Sequence, residues 1–413
     1  MLLEFRVENH RSIRDEQALT MEAASLGDPA DPRPRVVPGH RSKVLTTAAI
    51  YGANASGKSN LLAALGFMKE AVLLSHRAWP PEGGVPREPF AWGPKKNEPS
   101  TFEVTLLING IKYQYGFVVD DQAFLEEWLY VWPKGRKQTW IEREGEEFLF
   151  GDFLRGENHL IEQITRPNAL FLSAAVQHKH QQLQPLYDWF LRMATVAVRH
   201  HRRLAMGNLS TQWFRHALRE EVHEEDEQLR AFRELLKAAD VGVVDFKLES
   251  SDTFQRGLRS QSGIYVRHQS VSEEAWLPLE EESEGTLTLF TLGPKVLEVI
   301  RHGGLLVIDE LEASLHPLLA VRVLRQFNDP DANPHNAQLL FTTHDTNLLG
   351  NTLGNTALRR DQVWLTEKDT DGATCAYPLT DYKPRKAENL ERGYLQGRYG
   401  AIPLLGELDR IAG

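Results

Sequence analysis

Cysteine is almost missing from this chain. Its 413 residues include one, Cys375, so neither an intrachain disulfide nor a cysteine-based zinc site can form, and a reducing, cytoplasmic setting is expected. Long apolar runs are missing too. No uninterrupted stretch approaches the roughly 20 residues a membrane helix needs, so no membrane partner is expected. The opening MLLEFRVENHRSIRDEQ carries charges too early for a signal peptide. Excess positive charge is also lacking. The formal net charge is −10, which argues against a chain that coats nucleic acid non-specifically and leaves only a local basic face open. Sustained heptads are absent, which excludes tethering through a long coiled coil.

What is present is the composition of a packed globular protein, with 41% hydrophobic and 25% charged residues. Apolar strands alternate with helical patterns at both ends, and a mixed segment separates them. The expected fold class is α/β, a mixed sheet flanked by helices with an inserted α+β or helical lobe. The expected divisions are 1–84, the N-terminal part of a core; 85–176, a mostly antiparallel β segment; 177–245, a helical insert; and 246–413, the C-terminal part of the core. Asn109-Gly110 between two alternating runs predicts a hairpin.

The strongest chemical signal is GANASGKS, Gly52 to Ser59, placed after an apolar strand and opening a helix. Gly52 and Gly57 let the backbone curl, so that the N–H groups of Asn54, Ala55, Ser56 and Gly57 can converge on phosphate oxygens. Lys58 would reach the β- and γ-phosphates of ATP and Ser59 would meet Mg²⁺, with Asn60 just inside the helix. A second signal is GLLVIDE, in which an apolar strand ends at Asp309 and Glu310. Asp309 suits the metal, and Glu310 suits a general base or a water-orienting group. A third is LLFTTHD, in which His344 ends the next strand, where a neutral imidazole can bond a γ-phosphate oxygen or the attacking water.

These motifs resemble the ATPase heads of the ABC, SMC and RecF type, which implies an ABC-type P-loop head. The resemblance assigns the residues after Glu310, including Ser314 and His316, to a dimer-crossing loop, with His316 standing where an Asp is usual. It places Arg11, in VENHRSI, close to the nucleotide. Gln177, at the end of LFLSAAVQ, resembles a Mg²⁺-sensing Gln that ends a strand; an ordinary surface Gln is the other reading. EEESEGTLTLF, Glu280 to Phe290, then reads as the in-trans signature. Ser283, Gly285 and Thr286 at a helix N-terminus would cap the γ-phosphate of a second copy, although Ser283 also suits a plain N-cap. Glu282 and Glu284 add acid there, and Pro294 is expected to kink or split the helix.

Both ends of the chain, LLEFRVENHRSIRDEQALTMEA and DYKPRKAENLERGYLQGRYGAIP, are similar to RloA-type ATPases of bacterial phage-defence loci. That resemblance implies a phage-defence setting; the ABC-type head implies an ATP-hydrolysing homodimer, with a higher oligomer open, and since only about 70 residues follow His344, any nuclease or toxin activity is expected in a separately encoded, RloB-like partner. A RecF-like DNA-binding repair ATPase is the alternative. The basic run VRHHRRL, Val198 to Leu204, could meet nucleic acid or could be an acid-paired helix face. The basic group Lys383, Arg385, Lys386, Arg392 and Arg398 could dock on the head or on a partner. Asp369-Thr370-Asp371-Gly372 reads as a hairpin turn rather than a metal loop.

Overall fold

A computed structural model describes residues 1–197, 227–239, 242–250, 262–269, 275–350, 356–385 and 388–403. The Val198–Leu204 basic run and Lys386 lie outside them.

The chain opens with β1 (Leu2–Glu8), β2 (Gln17–Thr20), β3 (Thr47–Gly52) and α1 (Lys58–Leu74). Strands β4 (Ser100–Ile108), β5 (Ile111–Val119), β6 (Phe124–Trp132), β7 (Gln138–Glu144) and β8 (Glu147–Phe150) follow. Next come α2 (Asn158–Ile164), α3 (Phe171–Gln177), α4 (Gln184–Arg192) and β9 (Ala194–Ala197). After α5 (Glu227–Ala239) come β10 (Val243–Ser250), β11 (Ser262–His268) and β12 (Trp276–Pro278). The last part holds α6 (Glu284–His302), β13 (Leu305–Asp309), α7 (Leu311–Ser314) and α8 (Pro317–Asn328). It continues through β14 (Gln338–Thr342), β15 (Val363–Lys368), β16 (Thr374–Pro378) and α9 (Leu390–Leu395).

Three sheets result. One has the order β16-β15-β3-β14-β13-β9, another β2-β1-β4-β5-β6-β7-β8, and a small one β10-β11-β12. In the first, β15, β3, β14, β13 and β9 run parallel and only β16 is antiparallel. Its strands are apolar on both faces. Ala48 and Ile50 of β3, Val307 of β13 and Leu340 of β14 enter one core with α1 and the antiparallel sheet. Ala49, Tyr51, Ile308 and Phe341, from the same strands, enter a second core with α5, α6 and α8. Burial on two faces is why these strands read as continuous apolar runs. The expected mixed sheet flanked by helices is therefore present. The Asn109-Gly110 turn is too, with φ of 50° and 76°, as a tight hairpin between β4 and β5 requires. No helix among the described residues is long and apolar enough to cross a membrane.

Two expectations are corrected. The segment 177–245 is not purely helical, because β9 lies within it and pairs with β13 in the core sheet. Its Thr-Val centre suits a strand, and lysines from both sides hold it, Lys69 of α1 bonding Met193 O and Lys295 of α6 bonding Thr195 O. Segment 1–84 is likewise split, since β1 and β2 belong to the antiparallel sheet. Of the two outcomes expected at Pro294, a kink or a split, the split does not occur, because α6 runs through it from Glu284 to His302.

Candidate functional site

In the parallel sheet β3 and β13 flank β14, so the turns after these three strands open on one carboxyl edge, where α/β sheets place their ligands. The first turn runs from Gly52 into α1. Ala55 has φ 62° and Gly57 φ 104°. A Cβ on Gly57 would lie 2.0 Å from Thr374 Oγ1, and one on Gly52 would lie 2.4 Å from Thr366 Oγ1. Both glycines are thus demanded by close packing, and Gly57 by its backbone as well. Threonines of the β15–β16 hairpin bind the loop from beneath. Ser56 Oγ meets Thr366 Oγ1 at 2.7 Å, and Thr374 Oγ1 donates to Ser56 O at 2.9 Å. Asn60 donates to Ser12 Oγ at 2.6 Å, which ties the loop to the turn after β1.

Lys58 folds over its own loop, its Nζ donating to Gly52 O (2.9 Å) and Ala53 O (3.0 Å). Burial lowers its pKa, while Glu312, Asp309 and Glu310 oppose that shift. Ser59 Oγ donates to Asp309 Oδ1 at 2.8 Å, and Thr342 Oγ1 donates to the same oxygen at 2.7 Å. Thr342 Oγ1 in turn accepts from Glu310 N at 2.7 Å. One hydrogen-bonded chain thus joins α1, β13 and β14. Glu310 sits at φ 55° and ψ 68°, a left-handed conformation that costs a non-glycine residue on the order of 1 kcal/mol or more and that surrounding contacts must sustain.

His344 is exposed at the end of the third turn. Its pKa is lowered, first by desolvation and then by Lys58, so the ring is neutral at pH 7. Its backbone N–H donates to Glu312 Oε1 at 2.7 Å. Tyr51 OH donates to Asp345 O at 2.9 Å, and the Tyr51 ring packs on Tyr394 of α9. The C-terminal segment therefore docks on the head behind the His344 turn, and Arg398 of its basic group pairs with Glu388 at 2.7 Å.

Lys58, Ser59, Asp309, Glu310 and His344 are thus assembled on one edge. Arg11 is near but engaged, its Nε pairing with Glu88 at 2.6 Å; its neighbour Ser12 is the residue that touches the loop. Gln177 is misplaced by the expectation. Phe171–Gln177 is a helix, α3, not a strand. Buried Glu127 caps it, accepting from Phe171 N (2.7 Å) and Leu172 N (3.1 Å). His178 packs on His76, just past the C-terminus of α1, and α1 has 17 residues, so Gln177 lies roughly 25 Å from the loop end of that helix. The strand that does end beside Asp309 is β9, through Ala197.

Ser283 N-caps α6, accepting from Thr286 N at 3.3 Å. Ser283 and Gly285 are exposed and Thr286 is buried. Among the described residues, none of the three bonds to the cluster around Lys58. His316 caps α8, its Nδ1 accepting from Leu318 N at 3.3 Å, and Ser314 ends α7. Sequence reasoning missed Ser12, Glu312, Thr342, Thr366 and Thr374. Their only signal was a polar group at a strand end or turn.

Among the described residues, no group of three or more His, Cys, Asp or Glu side chains could hold a metal ion. One hydroxyl and one carboxylate, Ser59 and Asp309, suit a hard cation that takes its remaining oxygens from water and phosphate.

A family model described as "AAA domain, putative AbiEii toxin, Type IV TA system" matches residues 48–350, from β3 to just past the His344 turn. No curated protein matches. Similar solved structures include an SMC head domain from Thermotoga maritima, at 13% identity over 91% of this chain and 98% of that one, with TM-score 0.41. A second is an SMC head bound to the C-terminal winged-helix domain of ScpA, at 12% identity over 92% and 99%, with TM-score 0.49. A third is an SMC head with an extended coiled coil bound to the C-terminal domain of ScpA, from Pyrococcus furiosus, at 12% identity over 92% and 97%, with TM-score 0.40.

Proposed function

Because this chain belongs to that AAA-domain family, we propose that it is a Mg²⁺-dependent ATPase working as a homodimeric switch in bacterial phage defence. In this reading it controls a nuclease or toxin carried by a separate chain. The observation that carries the hydrolytic part is the hydrogen-bonded chain from Ser59 through Asp309 and Thr342 to Glu310, set beside Lys58 and His344. Lys58 exchanges its loop carbonyls for β- and γ-phosphate oxygens of ATP. Mg²⁺, held by Ser59 and Asp309, would offset phosphate charge. Glu310 orients the attacking water and accepts its proton. Neutral His344 donates to a γ-phosphate oxygen.

The homodimer rests on Ser283 and Gly285, exposed at a capped helix N-terminus and unbonded to their own chain's cluster. A second copy would bring them to the γ-phosphate, where the helix dipole favours the anion. The defence setting and the separate effector rest on the resemblance of the two chain ends to RloA-type ATPases.

The test is Glu310→Gln, which should retain ATP and hold the dimer closed. A monomer by light scattering at saturating ATP and Mg²⁺ would sink the dimer. Lys58→Ala should abolish ATP binding, and unchanged affinity would refute the site. Ser283→Arg should bind ATP but neither hydrolyse it nor dimerise. ATP-dependent duplex DNA binding that falls steeply with salt would favour the RecF-like alternative instead.

A further inference from the structure

Glu312 stands two residues beyond Glu310 on α7, and none of the roles above uses it. Its Oε1 accepts the His344 N–H at 2.7 Å. Its Oε2 is buried and meets no donor among the described residues. Of the carboxylates that oppose the desolvation of Lys58, Glu312 acts most strongly, ahead of Asp309 and Glu310. It therefore lies between the phosphate loop and the His344 turn. It also closes a geometric gap. Glu310 and His344 are on different turns, after β13 and after β14. Among the described residues three hydrogen bonds join these strand ends and turns: Thr342 Oγ1 to Asp309 Oδ1, Glu310 N to Thr342 Oγ1, and His344 N to Glu312 Oε1. The first two hold the strand ends, and only the third reaches His344 itself. A carboxylate with one desolvated, unpaired oxygen is costly to keep, so a hydrophobic residue would serve better if packing were its only task.

We propose that Glu312 is a positioning residue of the hydrolytic site, a strut that fixes the distance between Glu310 and His344 while partly offsetting the charge of Lys58 until a triphosphate takes over that ammonium. This rests on the ATPase reading above. Its two effects have opposite signs. Loss of the strut lets the His344 turn drift and slows hydrolysis. Loss of the negative charge removes repulsion from the triphosphate and leaves ATP binding as tight or tighter.

The experiment uses the full chain, with Glu312→Ala and Glu312→Gln made alone and Glu312→Ala also made in a His344→Ala background. ATP affinity is measured at equilibrium, and hydrolysis in single turnovers of labelled ATP. Glu312→Ala should slow hydrolysis about ten- to a hundredfold, the size expected for displaced catalytic groups, without weakening ATP binding. Glu312→Gln should lose less, because its amide oxygen can still accept from His344 N. In the His344→Ala background, adding Glu312→Ala should change the rate by less than about twofold, as for two residues that act as one unit. The strut is overturned if Glu312→Ala has no effect, if its loss is equal in both backgrounds, or if ATP binding weakens in step with the rate. Those results leave the ATPase reading standing. A wild-type protein without Lys58-dependent hydrolysis refutes that reading, and this inference with it.

Discussion

Thr374→Val tests how the phosphate loop is held. Thr374 is 1% exposed. Its Oγ1 donates to Ser56 O at 2.9 Å, meets Ser12 Oγ at 2.7 Å and accepts from Lys368 Nζ at 3.1 Å. Valine has nearly the same shape, so no cavity forms, but a methyl that cannot bond replaces the hydroxyl. Ser56 O would then face a methyl group, and a buried acceptor left without its donor costs about 1–3 kcal/mol. The bonds to Ser12 and Lys368 add about 1 kcal/mol each. Ser12 keeps its bond from Asn60, which moderates its share, so a total of roughly 3 kcal/mol is expected. The damage falls on Ser56 and Gly57, which cradle phosphate in the proposed function. If about half of it appears as lost loop preorganisation, ATP affinity drops roughly tenfold, since 1.4 kcal/mol is one decade. The rest lowers the thermal midpoint. Calorimetric titration with ATP and a thermal melt read the two parts. Thr374→Ser keeps the hydroxyl and should stay near wild type in both. A Thr374→Val protein with wild-type affinity and an unchanged midpoint would refute the bracing of the loop by the β15–β16 hairpin.

Two pH profiles and one loop substitution follow from the same geometry. In the proposed mechanism His344 acts as the neutral imidazole, and its pKa is lowered, first by desolvation and then by Lys58, so the midpoint of the acid limb of hydrolysis should lie below 6.5. A midpoint above 6.5 would contradict the assignment, and His344→Asn should lack the acid limb. Buried His10, packed on Phe67 and Phe102, has its pKa lowered to about 4 from 6.5, chiefly by desolvation. Because the folded value lies below the unfolded one, its contribution to stability is complete above pH 6.5 and fades as pH falls toward 4, by roughly 3 kcal/mol in all. His10→Phe should flatten that acid limb in urea titrations run from pH 7 to pH 4; an unaltered limb would assign it to other groups. Gly57→Ala should lose ATP binding, given the left-handed backbone and the Thr374 hydroxyl 2.0 Å from the new methyl, and equal affinity in a binding assay would show that the loop can yield.

Much of the fold was legible along the chain. Buried parallel strands announce themselves as apolar runs, and Leu305–Asp309 and Gln338–Thr342 lie where those runs do. The short segments were less legible. LFLSAAVQ and ATVA have nearly equal local claims to helix and strand. The first is a helix because Glu127, more than forty residues earlier in the chain, caps its first two amides. The second is a strand because β13 offers it an edge and two lysines bind its carbonyl side.

The site divides in the same way. The sequence by itself determined the loop that needs two glycines, the lysine and serine that follow it, and an Asp-Glu pair and a histidine at strand ends. Those features are local, because backbone curvature and strand termination are set by neighbouring residues. Only the tertiary structure decided that the Asp309 carboxylate takes both the Ser59 and Thr342 hydroxyls, that Thr374 fills the space beneath Gly57, and that Glu312 holds His344. These are contacts between strands distant in sequence. A hydroxyl or carboxylate at a strand end looks the same whether it faces solvent or a phosphate loop, and only the order of strands in the sheet tells which.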